Sequence, residues 1–304
     1  MIQTGDLPIT PPNAALLQPT SSPGGSPNGD LAESFELVIR PQTGWIGINW
    51  NEMIAHRDLL FYMVWRDMLV RYKQTVLGPA WAILQPLILM LIFTFVFGRV
   101  AQIRPKGFDY PVFVFAGLIP WTLFSQGMAQ SALSLINQQN LLTKVYFPRL
   151  FVPIAAACVF LVDLAISLVI YAVVLLYYRT VPSWTIIFLP PLVLLTLIAT
   201  LAFGILISAL TVFYRDFKHI VPFLTQIFMF ITPVIYPADM LTRNYQWVLA
   251  FNPMFGIVSA YRWAILGLDW NFPILAISTV SALGLFVFAV FYFRRTERRF
   301  ADFA

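Results

Sequence analysis

Charge is what this sequence has least of. Only 11% of its 304 residues are Asp, Glu, Lys or Arg, against about 25% in an ordinary soluble domain. Such a surface does not face water throughout. Cysteine is almost absent too. A single one, Cys158, lies inside an apolar run, which excludes an internal disulfide and a cysteine-rich metal centre. The two histidines, His56 and His219, are far apart and without companion ligands, so they make no metal site. There is no Walker-type phosphate loop and hence no ATP site of the usual kind. The net charge of +5 is not a nucleic-acid signal, because the basic residues sit in short segments beside apolar runs, where the positive-inside bias puts them. No basic residue precedes Arg40 and no apolar core follows Met1. No cleaved signal peptide is therefore expected, and membrane entry is assigned to internal helices.

Apolar and aromatic residues fill the space that charge leaves. Hydrophobic residues make up 59% of the chain and aromatics 16%, with 28 phenylalanines. Six runs approach or exceed the roughly 20 residues that cross a bilayer core: about 79–97, 111–133, 151–178, 186–213, 220–236 and 272–293. The fold expected is an all-α integral membrane protein of six transmembrane helices. An interfacial amphipathic helix precedes them, and two short re-entrant outer helices precede the last span. Residues 1–49 read as a Pro/Gly/Ser-rich disordered tail with a short β-like or irregular piece at 35–48, residues 50–75 as the interfacial helix, and residues 76–304 as the transmembrane domain. The tail contains six prolines and four glycines before residue 35 and no aromatic there, too little to offset the entropy of ordering.

The interfacial helix is expected from Leu60, Phe61, Val64 and Met68 at helical spacing, with Arg66, Asp67, Arg71 and Gln74 on the other side. Asp67 and Arg71 are spaced to pair at i,i+4. Lysine and arginine set the orientation: twelve fall in the segments read as cytoplasmic and six in those read as outer, which places both termini in the cytoplasm. The stretch 247–268 is apolar enough for a seventh span. However, Asn252-Pro253 breaks it and Arg262 sits inside it, at a cost of about 2.5–3.5 kcal/mol for a mid-span charge. It is read as helices that dip in without crossing.

Few residues carry candidate chemistry. Asp163 is the only ionisable group deep in a span, and its readings are a bond to a neighbouring helix or a substrate contact. A proton relay would need a chain of such groups. The aromatics read as lipid anchors or as a path on which sugar faces stack. The segments Ile136–Arg149 and Phe213–His219 read equally as partner-docking surfaces or as solvated loops.

Several long stretches resemble a known family. DLLFYMVWRDMLVRYKQTVLGPAWAILQPLILMLIFTFVFG (Asp58–Gly98) is similar to the start of type 2 ABC exporter permeases that move polysaccharides. KVYFPRL (Lys144–Leu150), FYRDFKHIVPFLTQIFMFITPVIYP (Phe213–Pro237), FNPM (Phe251–Met254) and RRTERRFAD (Arg294–Asp302) follow in the same order. The similarity runs over nearly everything after Pro41, and the relatives it suggests are the membrane subunits of O-antigen, capsular polysaccharide and teichoic acid exporters.

This resemblance implies a permease homodimer in the bacterial cytoplasmic (inner) membrane, with two copies of a separate ABC ATPase. ATP and Mg would be bound by that partner, and this chain would hold no cofactor. Asp58, Asn137, Asn140, Lys144, Tyr146, Pro148 and Arg149 would touch the ATPase. Phe93, Phe97, Phe223, Phe228, Phe230 and Tyr236 would line a channel at the dimer seam. Arg66, Arg71 and Lys73 would meet the pyrophosphate of a lipid-linked glycan at the cytoplasmic rim, or else lipid headgroups. Asn252, Pro253, Tyr261, Arg262 and Trp263 would form an outer gate, with Arg262 touching glycan or lipid phosphate, or anchoring at the interface. The alternatives are an exporter of a smaller lipid or drug from the same superfamily and, from another class, a membrane-embedded glycan-processing enzyme. The latter is disfavoured because Asp109, Asp163, Asp239 and Asp269 form no motif.

Overall fold

A computed structural model describes residues 54, 56–73, 80–138, 147–214, 216–269 and 271–297. The expected tail, the piece at 35–48 and most of the loop after Gln138 lie outside these residues. Among the described residues there are ten α-helices, two short 3-10 helices, one π-helix and no strand. In chain order the α-helices are α1 (Arg57–Lys73), α2 (Ala80–Phe93), α3 (Tyr110–Asn137), α4 (Phe151–Cys158), α5 (Phe160–Tyr177), α6 (Leu189–Phe213), α7 (Phe217–Ile231), α8 (Arg243–Leu249), α9 (Pro253–Leu266) and α10 (Phe272–Glu297).

Five helical stretches are long and apolar enough to cross a membrane: Ala80–Val100, Tyr110–Asn137, Phe151–Tyr177, Trp184–Phe213 and Phe272–Glu297. They match five of the six expected runs. The sixth differs. Helix α7 stops at Ile231, after 15 residues, and 232–237 leaves the helix as turns and extended chain. At 1.5 Å per residue the helix covers only about 22 Å. Pro233 explains the stop, since it disfavours helical geometry in the residue before it, and Thr232 is indeed extended at φ −87, ψ 135.

Helix ends follow local chemistry. Proline opens α3, α6 and α9 within the first two positions, where its missing N–H costs nothing. Asn252 caps α9 by accepting from the Met254 N–H at 3.1 Å. Gly267 closes that helix in the left-handed region at φ 68, as a C-terminal glycine does.

Helices α3 and α6 form the centre. Both are largely enclosed by protein, whereas α2 and α10 are largely open to the outside. The two central helices approach through small residues. A Cβ at Gly204 would come within 2.5 Å of Ser131 Oγ, and one at Gly127 within 2.8 Å of the Thr200 methyl. Small residues are what allow apolar helices to pack closely without a hydrophobic driving force between them.

Two hydrophobic clusters carry most of the core, with a third, minor one at Ala250, Phe255 and Ile274. The larger gathers residues of α3, α5, α6 and α9, including Phe115, Phe124, Tyr171 and Tyr261. The smaller gathers Met63 of α1, Phe147, Leu150, the α4 residues Phe151, Val152, Ala155 and Ala157, and Phe293 of α10. Helix α4 therefore belongs to one cluster and α5 to the other. They meet at Val159, whose backbone keeps right-handed helical angles and whose N–H donates to the Ala155 carbonyl at 3.3 Å, while its own carbonyl accepts from the Val162 N–H, one residue early, at 3.2 Å.

Two ends can be assigned from cross-links. At one end the Lys106 ammonium lies 3.3 Å from Asp239, Tyr110 Oη donates to the Ile235 carbonyl at 2.7 Å, and the Ser183 N–H donates to the Ile265 carbonyl at 2.9 Å. At the other end Arg66 bonds Gln138 at 3.1 Å and Arg149 donates to the Glu297 carbonyl at 3.0 Å.

Candidate functional site: a broken helix, its cation, and the grip of α1

The apolar segment 232–237 raises an accounting problem. Backbone carbonyls released from a helix in an apolar setting must find donors. One side chain supplies most of them. Arg262, in the middle of α9, is only 3% exposed. Its guanidinium donates to the carbonyls of Pro233 at 2.6 Å, Val234 at 2.6 Å, Tyr236 at 3.4 Å and Phe113 at 3.3 Å. The cation also lies 3.6 Å from the centre of the Phe113 ring, within cation–π range. Among the described residues no carboxylate pairs with it; the acceptors are backbone dipoles and a ring face.

Gly117 makes room for this arrangement. A Cβ there would lie 2.7 Å from an Arg262 terminal nitrogen and 3.1 Å from the Val234 carbonyl oxygen. Tyr110 satisfies Ile235, and Asn252 Nδ2 donates to Thr232 Oγ1 at 2.9 Å. The broken end of α7 is thus held by α3 and α9 together.

Arg262, expected to meet glycan, lipid phosphate or the membrane interface, is here enclosed with its donors on backbone carbonyls. The fork of a guanidinium suits several carbonyls at once, and they occupy it. Of the other residues expected at an outer gate, Asn252 and Pro253 cap and open α9. Tyr261 is fully buried, with the Thr196 hydroxyl 3.3 Å from its own. The Trp263 ring packs against Phe188 at 5.4 Å between centroids.

Helix α1 presents the face opposite to that expected at one position, and its pairing differs. Phe61 is 72% exposed while Met63, at 2%, is its buried residue. Phe61, Tyr62, Trp65 and Val70 are exposed, and Leu59, Leu60 and Val64 pack on the smaller cluster. The i,i+4 pair of Asp67 with Arg71 does not form. Arg66 takes Asp67 at 2.7 Å, and Gln138 both accepts from Arg66 at 3.1 Å and donates to Asp67 at 3.3 Å. Arg71 instead reaches Asp163 of α5 at 2.7 Å. Tyr72 Oη donates to the other carboxylate oxygen, and Arg71 lies 4.2 Å from the Phe160 ring centre. Of the two readings of Asp163, the bond to a neighbouring helix is the one formed. Arg66 and Arg71 are therefore engaged within the chain, and Lys73 is the exposed one of the three rim cations.

The expected channel residues separate into two groups. Phe223 and Phe230 are exposed on α7. Phe228 is turned inward, with ring centroids 5.2 Å from Phe203 and 6.2 Å from Phe124. Phe93 and Phe97 make an edge contact at 6.0 Å and pack on the larger cluster. Tyr236 Oη returns to the Phe230 carbonyl at 3.0 Å. Among the coupling residues, Asp58 is exposed beside Arg57, Asn137 is exposed at the end of α3, Pro148 is buried, and Arg149 holds the end of α10. Asn140, Lys144 and Tyr146 lie outside the described residues.

Five helices long and apolar enough to cross a membrane, with a cation of α9 buried against the broken end of α7, describe a membrane-embedded chain. Residues 58–266 match the ABC-2 type transporter family, and the chain belongs to that family as a multi-pass membrane protein. Among characterised proteins it is 32% identical over 253 residues to the O-antigen export system permease protein RfbA of Myxococcus xanthus, covering 81% of this chain and 96% of that one. It is 27% identical over 246 residues to the protein of the same name from Klebsiella pneumoniae, covering 81% and 94%. To the polysialic acid transport protein KpsM of Escherichia coli it is 25% identical over 214 residues, covering 66% and 78%.

Proposed function

We propose that this chain is the membrane-spanning permease subunit of an ABC exporter that moves a lipid-linked polysaccharide, of the O-antigen class, across the bacterial cytoplasmic membrane. The observation that carries this reading is the similarity to an O-antigen export permease over 96% of that protein's length. The energy would come from a separate ATPase holding ATP and Mg, and this chain would perform no catalytic step.

In this reading two copies of the permease meet with two ATPase copies below. Helix α7 and the extended segment 232–237 together make the sixth crossing, and α8 with α9 forms a re-entrant hairpin on the outer side. Both termini face the cytoplasm. The roughly 22 Å of α7 falls short of a core near 30 Å, and the turns and extended chain of 232–237 carry the path onward. The channel runs along the seam, with Phe223 and Phe230 of α7 facing it. The loop after Asn137, with Asn140, Lys144, Tyr146 and Pro148, and the segment at Asp58 receive the push of the ATPase. Lys73 is the rim cation open to a pyrophosphate.

The test is deletion in the native host. Loss of the chain should leave lipid-linked glycan complete but confined to the inner leaflet, read by periplasmic glycosidase or lectin accessibility. Restoring the chain with an ATPase unable to hydrolyse ATP should not release it. Cells that make no internal glycan at all would assign the chain to synthesis instead.

A further inference from the structure

We propose that Asp163 is a positioning residue of the transport cycle: through it α1 holds α5 beyond the joint at Val159, so that movement of α1 is delivered to the middle of a crossing. This rests on the reading that a separate ATPase drives the chain.

The body of α1 packs on the smaller cluster through Leu59, Leu60, Met63 and Val64, beside the α4 residues Phe151 and Val152. Its last turn reaches past α4 altogether. There Arg71 and Tyr72 take both oxygens of Asp163, and Arg71 covers Phe160. Phe160 and Leu164, on either side of Asp163, belong to the larger cluster. One helix therefore touches both sides of the place where the two clusters divide. A second polar contact, Arg66 and Asp67 with Gln138, ties the same helix to the foot of the loop that follows α3. Helix α1 is thus bonded at its middle to that loop and at its end to α5.

A carboxylate within an apolar helix is costly to insert, and packing alone would be served as well by an apolar residue. A charged pair instead gives a directional link that moves as one with α1.

The chain supplies its own probe, because its only cysteine, Cys158, borders the joint and is partly exposed. In the reconstituted complex with the ATPase, N-ethylmaleimide labelling of Cys158 should change by about threefold between the nucleotide-free and ATP-vanadate states. Asp163→Asn should abolish that change. It should also lower glycan export by about tenfold, with ATP hydrolysis and the melting temperature of the complex near wild type. The charge-reversed pair Arg71→Asp with Asp163→Arg should regain most of both signals. Wild-type labelling that ignores nucleotide, or an Asp163→Asn complex that responds and exports normally, would overturn the proposal. So would loss of export in step with loss of assembled complex, which would make Asp163 a folding residue. A chain that assembles with no ATPase would instead overturn the proposed function.

Discussion

Arg262 is the residue on which most of the geometry at the broken end of α7 depends. Its removal would leave the non-helical carbonyls of Pro233 and Val234 without donors, at about 1–3 kcal/mol for each buried group. Arg262→Met should therefore lower the melting temperature of the purified permease sharply. Arg262→Lys should recover little, because an ammonium on a flexible stem cannot serve the same carbonyls as a planar fork. Gly117→Ala probes the same contact from the opposite side. The new methyl would overlap the guanidinium and the Val234 oxygen, and overpacking of this kind costs about 1–3 kcal/mol. If Gly117→Ala melts with wild type, the buried cation has slack that the distances do not show. The sequence disclosed Arg262 as anomalous, a cation inside an apolar stretch, but not its partners. Those partners are main-chain atoms, and they become acceptors only because Pro233 stops α7. A lone arginine inside an apolar stretch and a proline-interrupted helix close by in the chain were the two halves of a signal that could have been joined.

At the scale of elements, the five long helices were legible because their apolar runs exceed what any short helix could bury. The first and last turns were less so. Apolar composition continues through 232–237, and composition alone does not report where hydrogen bonding stops. Helix α1 was legible as a helix and partly misread as a surface. Arg66, Asp67 and Arg71 were read on the polar side of the helix, Arg66 and Arg71 to meet pyrophosphate or lipid headgroups, and each finds a partner within the protein. The aromatic side chains Phe61, Tyr62 and Trp65 point outward instead. That is the arrangement of a helix lying on lipid with its polar groups turned to the protein. Replacing Phe61 and Tyr62 together by serine should leave the melting temperature nearly unchanged and weaken contact with the bilayer, read by spin-label depth at position 65. The six-crossing reading is checked by reporter fusions. A fusion after Asn244 should activate alkaline phosphatase, and fusions after Asn137 and at the C-terminus should fluoresce as cytoplasmic green fluorescent protein.

At the scale of the whole molecule, exposure divides α7. In the proposed homodimer, a photo-crosslinking residue at 223 or 230 should capture the partner copy or the exported glycan. One at 228, which packs on Phe124 and Phe203, should capture only its own chain. Capture at 228 equal to that at 223 would reject α7 as the wall of the seam. The family and its transport class were legible from long ordered stretches of sequence. The division of aromatics into lining and packing was not, since Phe223 and Phe228 differ only in which side of one helix they occupy.

The close passage of α3 and α6 at Gly127 and Gly204 bears on how such a molecule can work at all. Where two helices touch with no space for a methyl group, they cannot slide or compress. Helices α3 and α6 are mostly enclosed by protein, whereas α2 and α10 are mostly open. The centre is thus closely packed, and in the proposed transport cycle the strokes are expected to fall to the helices around it. A substitution that enlarges either glycine would not merely destabilise the chain. It would push apart the beam against which every moving part is levered.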